Sequence, residues 1–172
     1  MIKEFYREGH DVEKIIDYEI YTDGSCKSVG KKTFGAWGFV VVHDDKKIFY
    51  KTGGETDTTN QRMELLAVVE ALRYIAPLRT EHQRVKLFSD SAYVINCYTQ
   101  RWFDMWLRNG WTNSAGNSVA HKELWEEVIP FFDHWWYSFT KVKGHANVYW
   151  NEMCDQLVQE EADKLKHNWR AT

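Results

Sequence analysis

The chain is short of most features that would assign it to a class at once. It has two prolines in 172 residues, Pro77 and Pro130, and no repeat or low-complexity stretch, so a proline-rich linker or tail is excluded. Its three cysteines, Cys26, Cys97 and Cys154, are odd in number and show no paired CxxC spacing. That argues against a disulfide framework and a zinc site, and it fits a reducing, cytoplasmic compartment. No apolar run approaches the roughly 20 residues of a membrane helix, so no membrane partner is expected, and the charged N-terminus does not resemble a signal peptide. Neither sign of charge dominates: 22 Lys and Arg stand against 25 Asp and Glu, for a formal net charge of −3. Any surface that grips a polyanion must therefore be local.

What the chain does have is aromatic side chains, nine each of Trp, Tyr and Phe. With 44% hydrophobic and 27% charged residues, this is the make-up of one globular domain whose aromatics fill a core and leave some for stacking. Residues 1–14 mix charges without periodicity and read as a short appendage, with the domain covering 15–172.

The pattern of alternation predicts strands over 15–22, 35–43 and 47–52, the last two joined through Asp44-Asp45-Lys46 as a hairpin. Thr59 or Asn60 caps a predicted helix through "QRMELLAVVEALRYIA", which presents Leu65, Val68, Val69 and Leu72 on one face and stops before Pro77. A fourth strand over 84–90 leads into the short helix "SAYVINCYT". After "QRWFDMWLRNGW" and a Gly/Ser/Asn turn, a helix around "HKELWEEVIPFF" is kinked or ended by Pro130. A fifth strand over 137–142 and a helix over about 150–166 complete the pass. Three hairpin strands followed by alternating helix and strand predict an α/β fold with a mixed sheet and helices packed on it.

Acids fall at telling places in this scheme. In "YTDGSC" Asp23 stands where the first predicted strand stops, and in "FSDSAYV" Asp90 ends the fourth. An Asp-Gly pair by itself suits a tight turn. Glu64, in the first turn of the long helix, and Asp155, on the last helix, sit among apolar neighbours. Ligands of open α/β sheets gather at the carboxyl ends of strands, which gives these acids a second meaning.

The motifs "YTDGSC", "TTNQRMEL", "FSDSAYV", "VKGHA" and "NEMCDQLV", in this order and over about Tyr18 to Asp163, resemble type 1 ribonuclease H. The resemblance implies the ribonuclease H-like fold, a five-stranded mixed sheet of order 3-2-1-4-5 with helices on both faces. It implies an endonuclease that cuts the RNA strand of an RNA–DNA hybrid and leaves 3′-hydroxyl and 5′-phosphate ends. By the same resemblance Asp23, Glu64, Asp90 and Asp155 are catalytic carboxylates that hold two Mg²⁺ ions with substrate, with Mn²⁺ able to substitute, and His145 moves protons near the attacking water or assists product release. Physical chemistry is consistent with this. Carboxylates 4 Å apart repel by about 4 kcal/mol at an effective dielectric of about 20, and hard divalent cations with oxygen ligands relieve that. Two such ions about 3.5–4 Å apart can activate water and stabilise a leaving oxygen.

The resemblance also implies a substrate groove. Gly24, Ser25, Cys26, Asn60 and Gln61 would contact RNA riboses through the 2′-hydroxyls that distinguish RNA from DNA. Gly24 is expected to let its backbone N–H approach the substrate. Thr59 matches a residue that grips a DNA phosphate. Trp102, Trp106 and Trp111 match an aromatic-supported basic protrusion that holds the DNA strand, here carrying Arg101, Arg108 and Lys122. Three departures stand out. "KSVGKKTF" replaces a Gly/Pro-rich loop, though Lys27, Lys31 and Lys32 can supply phosphate contacts. Asp57 stands where relatives often carry arginine, and His121 where asparagine is common. A monomer is expected. Two other readings remain: a catalytically silent hybrid-binding module, and another nuclease or strand-transfer enzyme of the same fold. The complete carboxylate set counts against the first, and "TNQRME" with the tryptophans against the second.

Overall fold

A computed structural model describes residues 15–142 and 149–171. The first strand, β1 (Ile16–Val29), forms a hairpin with β2 (Lys32–His43), which forms a second hairpin with β3 (Lys46–Thr56). Helix α1 (Asn60–Ile75) then crosses to β4 (Gln83–Ser89), and three helices follow: α2 (Ala92–Thr99), α3 (Trp102–Arg108) and α4 (Lys122–Phe132). Strand β5 (Tyr137–Lys141) and the long α5 (Tyr149–Arg170) close the chain. The sheet order is β3-β2-β1-β4-β5, with β1 antiparallel to β2 and parallel to β4. This is the expected α/β arrangement.

Local chemistry explains the connections. Asp44 and Asp45 both take positive φ (49° and 54°), the two-residue turn whose twist matches a hairpin, and Asp tolerates it better than most residues. The Thr59 hydroxyl caps α1 by accepting from the Arg62 amide at 3.2 Å. Leu65, Val68, Val69 and Leu72 are buried against the sheet as their spacing predicts. Pro130 does not end α4, which runs on to Phe132: proline costs the helix one N–H donor and crowds the carbonyl four residues back, and only two residues follow it.

The sheet is covered on both faces. Ile20, Phe39 and Val41 face a large core built with α1, α2, α3 and α4, while Tyr21, Val40 and Val42 face Cys154 on α5. Strand β2 is therefore buried almost continuously. Among the described residues no helix is long and apolar enough to cross a membrane.

Candidate functional site

Asp23 does not end a strand. Strand β1 continues six residues past it, and Asp23 pairs with Gly38 and Gly24 with Trp37 in the ladder to β2. The Asp-Gly pair is not a turn, because the β2 edge keeps both residues extended. What stops near Asp23 is the parallel pairing with β4, whose last partners are Thr22 and Ser89. Beyond that point β1 has no β4 beside it, and Asp90, the residue after β4, lies at the opening. The strand-end placement therefore holds for Asp90, and for Asp23 it is the end of the partner that matters. The turn itself sits at Gly30, with φ of 60°, and "KSVGKKTF" is hairpin rather than loop.

Glu64 is the fifth residue of α1, in its second turn rather than its first. It reaches the site because α1 lies directly on Gly24. A Cβ built on Gly24 would come within 2.6 Å of Glu64 Cα and closer still to the Glu64 amide and the Met63 carbonyl carbon. Gly24 is buried, so its missing side chain serves helix packing rather than substrate approach, and its amide acts on the Asp23 carboxylate. The Glu64 carboxylate accepts from the Asn60 amide at 2.8 Å and from the Ser91 hydroxyl at 2.5 Å.

On α5, Asp155 is exposed beside the buried Cys154, whose thiol donates to the Tyr21 and Gly38 carbonyls at 3.4 Å each. Those weak bonds dock α5 on the strands that flank Asp23. Gln159 donates to Ser25 Oγ at 3.2 Å and to Asp155 Oδ1 at 3.4 Å, tying the two elements together.

The electrostatics follow from this crowding. Burial, then the neighbouring Asp90 and Asp155, then more weakly Glu64, push the Asp23 carboxyl up to about 8 against the pull of the Gly24 amide. Asp23 Oδ2 is buried and accepts no hydrogen bond from the described residues. Burial is also the largest influence on Glu64, whose pKa is raised despite its Ser91 and Asn60 donors. A buried carboxylate oxygen without a donor, among acids that raise its pKa, is a demand for positive charge. Among the described residues no three His, Cys, Asp or Glu side chains converge tightly enough to enclose an ion alone. The oxygen-only set fits a hard divalent cation that takes its remaining ligands from water or phosphate.

Thr59, Asn60 and Gln61 are exposed at the start of α1, and Ser25 and Cys26 are half-buried beside them on β1. Gln61 shares a groove of about 330 Å³ with Tyr93, Trp102 and Trp106. Trp106 is mainly a core residue, 5% exposed and packed on Trp125, while Trp111 stacks on it at 6.0 Å between centroids. Several expected phosphate-binding cations already have acidic partners. Arg101 pairs with Asp104 (2.7 Å) and Asp133 (2.8 Å), Lys27 with Asp163 (2.9 Å), and Lys32 with Asp57 (2.5 Å). His145 lies outside the described residues. Sequence reasoning missed Ser91 and Gln159; the first fell inside the predicted helix "SAYVINCYT", whereas it stands before α2 as its cap.

The family model RNase H matches residues 16–163. The chain belongs to the ribonuclease H family. Its type 1 motifs agree with this, and membership makes it a hydrolase, an endonuclease that degrades the RNA strand of RNA–DNA hybrids. Family members generally depend on divalent metal. The chain is 45% identical over 142 residues to a ribonuclease H of Syntrophomonas wolfei, covering 81% of this chain and 92% of the relative. It is 42% identical over 147 residues to one of Clostridium botulinum, covering 85% and 95%. Among solved structures, LC9-RNase H1, a type 1 RNase H with the type 2 active-site motif, superposes with a TM-score of 0.70 at 26% identity, covering 90% of this chain and 75% of that one.

Proposed function

We propose that this ribonuclease H cleaves its hybrids through Asp23, Glu64, Asp90 and Asp155 acting together as the holders of two Mg²⁺ ions, which Mn²⁺ can replace. The observation that carries this reading is Asp23 Oδ2, buried without a donor among the described residues and pressed by neighbouring acids. When bound, the ions supply the positive charge that favours an attacking water and a departing 3′ oxygen.

The chain's own groups do the rest. β1, held between β2 and the end of β4, fixes Asp23 with little freedom of rotation, and Glu64 is aimed by two donors. Thr59, Asn60 and Gln61, with Ser25 and Cys26, line the shallow groove, where hydroxyl and amide groups distinguish ribose from deoxyribose, and Gly24 serves it from behind by seating α1 against β1. Trp102, Trp106 and Trp111 give the DNA strand a rigid aromatic support. His145 passes protons at the water or the product, for which an imidazole near neutrality is suited.

A labelled RNA–DNA hybrid, RNA duplex, DNA duplex and both single strands, incubated with Mg²⁺ and then with chelator, test the reading in one gel. The expected result is endonucleolytic cleavage of RNA in the hybrid alone, only with metal, leaving 3′-hydroxyl ends. Binding to hybrid without cleavage in either metal would identify a silent module instead.

A further inference from the structure

Ser91 does two jobs with one hydroxyl. It stands between Asp90 and α2, is 4% exposed, and accepts from the Val94 amide at 3.3 Å as the cap of that helix. The same oxygen's proton goes to Glu64 Oε2 at 2.5 Å. The Ser91 amide donates to Ser89 Oγ at 3.1 Å, so the bend that carries Asp90 is stapled across. On the other side Asn60 takes Glu64 Oε1 at 2.8 Å.

We infer that Ser91 is the positioning residue for Glu64, fixing the carboxylate's direction toward the cation site through the same hydroxyl that starts α2. The inference rests on the carboxylate reading above. A glutamate has three rotatable side-chain bonds, and holding it in one arrangement costs conformational entropy that a second donor offsets before any ion arrives. The two acids are placed by one short segment: Asp90 by the bend, Glu64 by the hydroxyl that follows it. Partners of this kind, which orient a ligating carboxylate without touching the ion, typically carry ten- to a hundredfold of metal affinity.

The competing role is that of a plain helix cap, and glycine separates the two, because it caps almost as well as serine but has no hydroxyl. Mn²⁺ is titrated into metal-free wild type, Ser91→Gly, Ser91→Thr and Asp23→Asn, with the unbound ion read by electron paramagnetic resonance and melting temperature recorded alongside. Ser91→Gly is expected to bind Mn²⁺ ten- to a hundredfold more weakly while melting close to wild type, and Ser91→Thr, which keeps the hydroxyl, to recover most of the affinity. Wild-type affinity in Ser91→Gly beside lost affinity in Asp23→Asn overturns the inference and leaves the carboxylate site standing. An equal loss in Ser91→Gly and Ser91→Thr also overturns it, since packing rather than the hydroxyl is then responsible. Wild-type affinity in both Ser91→Gly and Asp23→Asn removes the carboxylate reading itself.

Discussion

Gly24 and Glu64 are held backbone against backbone: the place where a side chain would leave Gly24 is filled by the peptide that leads into Glu64. Strand β1 and helix α1 approach this closely only because residue 24 has no Cβ, and the approach brings Glu64 to the side of Asp23. Gly24→Ala should therefore force β1 and α1 apart. Overpacking against backbone costs about 3 kcal/mol, read from urea unfolding. Displacing Glu64 by as little as 1 Å should lower turnover by about a hundredfold. Cleavage and stability both near wild type would mean that α1 can slide without disturbing the site.

Asp23→Asn and Asp90→Asn should each abolish Mg²⁺-dependent cleavage and leave the circular dichroism spectrum unchanged, because each removes charge that the cations need. Near-normal turnover in either variant would remove that residue from the site.

The same crowding makes a prediction about stability without metal. The folded-state pKa of Asp23 is raised to about 8, far above an unfolded aspartate near 3.9. Between those values the folded chain holds a proton that the unfolded chain has released, so stability falls as pH rises, by up to about 1.4 kcal/mol per pH unit, and levels off above 8. Chelated wild type should lose melting temperature from pH 5 to 8, and Asp23→Asn should lose much less. Parallel pH profiles for the two proteins would show that Asp23 is ionised throughout.

Sequence pattern was sufficient for a mixed sheet and for the position of α1, since a strict apolar face and a capping threonine leave few alternatives for Asn60–Ile75, whereas the strand order came only with the family resemblance. It was insufficient at "YTDGSC". Asp-Gly and the following Lys/Gly-rich stretch have turn composition, but strand pairing is decided by the partner: β2 extends as far as Lys32 and holds β1 straight to Val29. Asp23 and Asp90 were legible as candidate site residues through their motifs. Ser91 was not, because a serine at the start of a predicted helix shows no partner, and the glutamate that accepts from its hydroxyl is 27 residues away in the chain. Nor could composition show that Arg101 and Lys32 are held by acids, which depends on side chains that the fold brings together.

His145 follows β5 and precedes the helix that carries Asp155. His145→Ala should slow turnover by roughly ten- to a thousandfold without eliminating it, within the range that proton-transfer groups contribute. The measurement is single-turnover cleavage at saturating hybrid, wild type beside the variant. An unaltered rate would remove His145 from the reaction.

Asp57 is expected to limit the grip on the DNA strand. It lies at the turn before α1 with φ of 55°, beside the Thr59 expected to hold a phosphate, and its carboxylate holds Lys32 at 2.5 Å. The acid should thus act twice, by repelling phosphate and by occupying a lysine that could bind one. Asparagine tolerates positive φ as aspartate does, so Asp57→Asn changes charge without straining the turn, which arginine would not achieve. With the repulsion gone and Lys32 released, the variant should neutralise about one more phosphate. Each such contact steepens the dependence of log K on log salt by about 0.9 on a B-form duplex, a guide for the hybrid as well. Hybrid affinity measured over a salt series in Ca²⁺, to suppress cleavage, should therefore be tighter at low salt and steeper in slope by about one unit, with the chemical step unchanged when Mg²⁺ is restored. Equal slopes and affinities in the two proteins would place Asp57 and Lys32 away from the DNA strand and require the groove to be redrawn around Thr59.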